Sequence, residues 1–96
     1  MWIEGVGKPP GCKLLRAGAD IDRGIIRTLR IRGDFFASPE EGLEQVEQRL
    51  SGVPLVELAA AFDALIREAG VEVFGISGSG LASVLFSALV AMEESP

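Results

Sequence analysis

Histidine is absent from these 96 residues. That removes the usual general base, the Ser-His-Asp and Cys-His nucleophile arrangements, and most zinc and iron sites. Cysteine occurs once, at Cys12, so no internal disulfide framework exists and a lone thiol cannot build a structural zinc site. Long apolar runs are also missing. The longest, around Leu81 to Met92, is broken by Ser83 and Ser87 and falls short of the roughly 20 residues of a membrane span. Met1-Trp2-Ile3-Glu4 lacks the basic lead and apolar h-region of a secretory signal. A soluble cytoplasmic protein is therefore expected, without a metal site and poorly equipped to catalyse alone. No repeat or low-complexity segment interrupts the chain.

What is present suits one domain spanning residues 1–96. Apolar residues make up 48% of the chain and charged ones 24%, too hydrophobic a mix for disorder. The net charge of −5 conceals an asymmetry: residues 1–33 carry seven cations against three acids, and residues 34–96 carry two against eleven. A basic front on an acidic body suggests a locally positive surface facing an anion, or strand arginines that only solvate a sheet face. Nucleic acid is not expected, because no aromatic residue interleaves the cations from Lys8 to Arg32 and the acidic remainder repels a long polyanion.

Alternation places Leu15, Ala17, Ala19 and Ile21 on one side of a strand, and Ile25, Leu29 and Ile31 opposite Thr28, Arg30 and Arg32 on a second. Asp22-Arg23-Gly24 joins them, so the pattern predicts a β-hairpin. Trp2 to Val6 is a candidate third strand. Ser38-Pro39-Glu40-Glu41 reads as a helix start, with Ser38 capping, Pro39 first and Glu41 completing a capping box. Leu43, Val46 and Leu50 stripe that helix and Gly52 ends it. Pro54 opens a second helix with Leu55, Leu58, Phe62, Leu65, Ile66 and Ala69 on one face, stopped by Gly70. A third is expected from about Leu81 to Glu93, capped by Ser77 or Ser79. Its main stripe is Leu81, Val84, Leu85, Ala88, Leu89 and Met92, and Phe86 and Val90 lie off it. Such a helix is central in the core or covered by a partner. Strands first and helices after is an α+β order.

Several motifs resolve to plain readings. Gly75-Ile76-Ser77-Gly78-Ser79-Gly80 precedes a helix, yet it lacks the Gly-Lys-Ser/Thr ending of a phosphate loop, and no histidine activates Ser77 as in a nucleophile elbow. A serine-capped connector fits better. Glu40, Glu44 and Glu47 roughly line one helix face, most simply a solvated one. Cys12 lies between two lysines that favour a thiolate, though a small residue at a strand entrance explains it as well. Lys8-Pro9-Pro10-Gly11-Cys12-Lys13-Leu14 sets two lysines about a rigid turn, an arrangement that suits a phosphate or adenylate. Gly33-Asp34-Phe35-Phe36 puts two phenylalanines at a strand end, where both are expected to close the sheet–helix core.

These segments, with Pro39-Glu40-Glu41 and Leu50-Ser51-Gly52 in the same order, resemble the C-terminal domain of lipoate–protein ligases. That family carries a K-x-P-G-G-K-L loop, a hairpin, G-D-F-F, P-E-E and a helix ending L-x-G. The match is good over residues 8–52 and weaker through Gly75 to the last helix. Cys12 departs from it, standing where the family usually has a second glycine.

The resemblance implies a SufE/NifU-like fold, with a small antiparallel sheet packed by three helices. It also implies a non-catalytic accessory subunit of a split ligase, forming a heterodimer with a larger catalytic chain. The pair would activate lipoate with Mg-ATP to lipoyl-adenylate, and the catalytic chain would pass the lipoyl group to acceptor domains. No cofactor is expected on this chain alone; ATP, Mg and lipoate belong to the complex. Lys8, Gly11 and Lys13 would lie near the adenylate, Pro10, Gly33, Asp34, Phe35, Phe36 and Pro39 would be structural, and Phe86 and Val90 would face the partner. The same fold resemblance leaves a sulfur-transfer or iron–sulfur scaffold role through Cys12 as an alternative, and a plain interaction module as another.

Overall fold

Alternating side chains in the first third of the chain form a three-stranded antiparallel sheet in a computed structural model that describes residues 1–94. The strands are β1 (Trp2–Gly7), β2 (Leu15–Asp22) and β3 (Ile25–Gly33), with β2 in the centre. Ile3, Leu15, Ala17, Ala19, Ile21, Leu29 and Ile31 are all buried on its inner face. The third strand expected over Trp2 to Val6 is therefore present. Arg23 and Gly24 both take positive φ, 52° and 79°, the signature of a type I′ hairpin turn.

One inner-face assignment shifts. Ile26, not Ile25, is fully buried. The register slips where Asp20 pairs with Thr28 and Ile21 with Ile26, leaving Arg27 as an extra residue on β3. Such a bulge reverses the facing of everything beyond it.

Three helices cover the inner face: α1 (Glu40–Arg49), α2 (Leu58–Ala69) and α3 (Gly78–Glu94). Helix α3 packs beneath β1 and β2, α1 packs beneath β3, and α2 touches both other helices. Leu43, Val46, Leu50, Leu58, Phe62, Ile66, Leu81, Val84 and Leu85 fill the core. Phe62 is 1% exposed, a burial that stabilises by about 2–3 kcal/mol. Leu55 is buried too, on a single 3-10 turn (Leu55–Glu57) ahead of α2. Ala69, expected on the same stripe, is exposed. Among the described residues no helix is long and apolar enough to cross a membrane.

Strand β3 is a sheet edge, and the chain covers it. Ile26 N–H donates to the Val53 carbonyl at 2.9 Å, Gly52 N–H to Ile26 at 2.7 Å, and Leu55 N–H to Gly24 at 2.8 Å. Glu47 reaches from α1 to accept the Ile31 N–H at 2.6 Å. Capping an edge in this way blocks pairing with stray strands. It also corrects the expectation that Glu47 lies on a solvated face with Glu40 and Glu44. Burial pushes the Glu47 carboxyl above its ordinary range, and the Ile31 amide and the charge of Arg32 only partly oppose it.

The α+β order expected from sequence is confirmed, with one addition. β4 (Phe36–Ser38) and β5 (Glu72–Phe74) form a separate two-stranded antiparallel ribbon. That pairing explains why Ser38 does not cap α1: it lies opposite Glu72 in the ribbon, and Pro39 takes the N-cap position without a side-chain cap.

Candidate functional site

The Lys8–Lys13 segment is built around a reverse turn. The Cys12 N–H donates to the Pro9 carbonyl at 3.0 Å, Pro10 occupies the first central position and Gly11 the second with φ +76°. A type II turn needs those residue types there, because only glycine takes positive φ without strain. Cys12 takes an ordinary negative φ, so the turn needs no glycine there. Lys8, Gly11 and Lys13 are all exposed.

Backbone hydrogen bonds tie this turn to two other segments. The Asp34 N–H donates to the Leu14 carbonyl at 2.9 Å, and the Lys13 N–H donates to the Gly75 carbonyl at 2.8 Å. Gly33 is opposite Leu15 in the sheet register, and any Cβ there would collide with the Leu14 carbonyl. The lysine turn, the Gly33-Asp34-Phe35-Phe36 segment and the Gly75 turn thus meet at one end of the molecule. Pro39 joins them through the ribbon and accepts the Gly42 N–H at 3.1 Å.

The two phenylalanines part company. Phe35 packs against the core, whereas Phe36 is 59% exposed. The expectation that both close the core is therefore half right: Phe36 stands opposite Phe74 across the ribbon, and Phe74 is 67% exposed. The Lys13 ammonium lies 5.8 Å from the Phe74 ring centre, within cation–π range. The Lys13 ammonium thus lies beside one open aromatic ring, with a second exposed ring opposite that one across the ribbon. Sequence reasoning missed Phe74 because its strand spans three residues and shows no periodicity.

The glycine–serine run before α3 is explained by packing. Helix α3 begins at Gly78, three residues earlier than expected. Ser77 Oγ caps it by accepting the Gly80 N–H at 3.1 Å, and Asp63 accepts the Gly78 N–H at 2.8 Å. Cβ atoms at Gly78 and Gly80 would strike the Ala59 carbonyl and Cys12 Sγ. Two of the first amides already have partners, which argues against an anion cradle.

Cys12 itself is 7% exposed, with Sγ 3.6 Å from Ser77 Oγ. A buried thiol pressed on Gly80 is ill placed to accept sulfur from a donor protein, so the sulfur-transfer alternative is not favoured. Among the described residues no group of histidine, cysteine or carboxylate side chains could hold a metal ion. Phe86 and Val90 lie well along α3 from this end, 37% and 48% exposed.

No family model matches the sequence, and no curated protein matches it. A solved structure does. It is described as a bipartite lipoate protein ligase of an archaeal lipoylation system and its E2 lipoyl domain, from Thermoplasma acidophilum. The superposition has a TM-score of 0.72 at 24% identity, covering 88% of this chain and 94% of that one. The two chains share a fold. Coverage that high on both sides also makes the matched chain about as small as this one.

Proposed function

We propose that this chain is the small, non-catalytic accessory subunit of a split lipoate–protein ligase. In this reading it pairs with a larger catalytic subunit and is needed for the ATP-dependent activation of lipoate to lipoyl-adenylate. The observation that carries the reading is the meeting of the lysine turn with the Gly33–Phe36 segment through the Asp34–Leu14 hydrogen bond. The two segments that resemble the ligase family are 20 residues apart in sequence and one surface in space. The fold shared with a chain from a bipartite ligase system supports the same reading.

In the complex, lipoate and Mg-ATP are the substrates of the catalytic subunit. Lys13 presents an ammonium to the phosphate edge where negative charge accumulates as pyrophosphate departs. A fixed cation there stabilises the transition state more than the ground state. Its cation–π contact with Phe74 is worth about 0.5–1 kcal/mol at an exposed site. That is enough to orient the side chain, and small beside the ~3 kcal/mol typical of one transition-state contact. Lys8 supports the same edge from the other side of the turn. Phe36 and Phe74 on the ribbon, and Phe86 and Val90 along α3, are exposed apolar side chains offered to the catalytic subunit.

Reconstitution tests this. The purified chain alone should neither consume ATP nor lipoylate an acceptor domain, and adding it to the catalytic subunit should restore lipoate-dependent ATP–pyrophosphate exchange. Lipoylation by this chain alone would sink the proposal, as would full activation by the catalytic subunit without it.

A further inference from the structure

We propose that the outer face of the three-stranded sheet is a separate docking surface for a partner protein that presents clustered carboxylates. Strand alternation and register arrange the outward side chains in rows: Val6–Arg16–Arg32, Glu4–Gly18–Arg30 and Trp2–Asp20–Thr28. Arg16 stands directly opposite Arg32. Like charges in that relation destabilise a sheet, a cost that a face meeting only water has no reason to carry. Arg32 has Glu47 at 3.7 Å, whereas Arg16 and Arg30 form no ion pair among the described residues.

Trp2 adds an apolar anchor. Its indole lies across Gly18, where any Cβ would strike the ring, its Nε1–H donates to Glu4 at 2.8 Å, and 44% of the residue stays exposed. Trp2, Arg16, Arg30 and Arg32 line an open groove of about 480 Å³. Tryptophan and arginine together are the composition of an interface centre. A small-molecule site would enclose most of its ligand, and this groove is open. Arginines bind carboxylates through paired hydrogen bonds, which fixes the partner's chemistry as acidic. Nucleic acid is the weaker fit: Glu4 lines the same groove and Asp20 stands opposite Trp2, so the arginines form one short patch and not the continuous basic track that a long phosphate backbone follows. The helices, and with them Phe86 and Val90, lie on the opposite side of the sheet, so this surface stands whether or not the ligase reading does.

Trp2 is the single tryptophan, so its fluorescence reads this groove alone. The probe is a peptide of about twelve residues rich in glutamate and aspartate with two leucines, titrated into the full chain at low salt. The expected result is a saturable change in Trp2 emission that weakens with added salt. Arg16→Glu and Arg30→Glu should each weaken binding by about tenfold or more. Arg16→Glu should meanwhile keep or raise the melting temperature, because it relieves the facing pair; lost binding with retained stability cannot be a folding defect. The proposal is overturned if the peptide gives no response, or the same response in both variants. It is also overturned if single-stranded DNA or inorganic phosphate binds at least as tightly, or if the arginines instead drive self-association in sedimentation.

Discussion

Phe36 and Phe74 face each other across a two-stranded ribbon, and the Lys13 ammonium sits 5.8 Å from the Phe74 ring. Both rings are more than half exposed, so water surrounds about as much apolar surface as the core would gain by hiding one of them. Phe36→Ala should therefore change folding stability by about 0.5 kcal/mol or less, and Phe74→Ala, which also loses the Lys13 contact, by about 1 kcal/mol. Phe62→Ala, in the core, should cost about 3–5 kcal/mol. Urea titrations measure both. If the ribbon is the contact surface proposed, the same two exposed substitutions should weaken association with the catalytic subunit in calorimetry; unchanged affinity would remove the ribbon from the interface.

Gly80 and Cys12 form a testable pair. In an exposed helix, Gly→Ala stabilises by about 1 kcal/mol. Here the added methyl meets Cys12 Sγ, so Gly80→Ala should destabilise instead. Cys12→Ala should reverse much of that loss, giving a coupling energy on the order of 1 kcal/mol in a double-mutant cycle. Additive effects would mean that the two do not touch.

Glu47 links stability to pH. Its folded pKa is raised above the ordinary glutamate value of about 4.5, chiefly by burial. A carboxyl with a raised folded pKa contributes stability that is fully present below its unfolded pKa and is lost as pH rises through the folded one. Stability should thus fall from about pH 4.5 upward relative to Glu47→Gln, which keeps an acceptor for the Ile31 N–H without the charge. Parallel denaturation midpoints for the two proteins across pH 4 to 7 would contradict this assignment.

Phe86 and Val90 lie off the main stripe of α3, and both are exposed. Phe86→Asp or Val90→Asp should weaken binding to the catalytic subunit while leaving thermal melts nearly unchanged. A loss of several kcal/mol of stability with normal binding by the residual folded protein would make them core residues instead.

Sequence carried the hairpin, because Leu15, Ala17 and Ala19 alternate against Arg16 and Asp20 within a single strand. It carried the helices through the stripes of Leu43, Val46 and Leu50 and of Leu58, Phe62 and Ile66. It did not carry the β4–β5 ribbon. Three-residue strands have no periodicity to read, and their pairing of Phe36 with Phe74 spans the whole helical segment between them. That gap hid half of the candidate surface and misassigned both Phe36 and Ser38. The bulge at Arg27 was hidden for a related reason, since a one-residue insertion depends on the partner strand's register. The glycines at 78 and 80 suggested a loop because only the folded chain brings Ala59 and Cys12 against them.

Lys13 is expected to serve adenylate formation and not lipoyl transfer. The decisive measurement compares the Lys13→Ala complex with the unaltered one in two half-reactions, lipoate plus ATP and preformed lipoyl-adenylate plus acceptor domain. Losing one transition-state contact costs a few kcal/mol, or about a hundredfold in rate. The account predicts that loss in the first reaction and a near-normal rate in the second. Rates within about threefold in both, a change of ~0.7 kcal/mol, would show that Lys13 only solvates the strand entrance and would contradict the site.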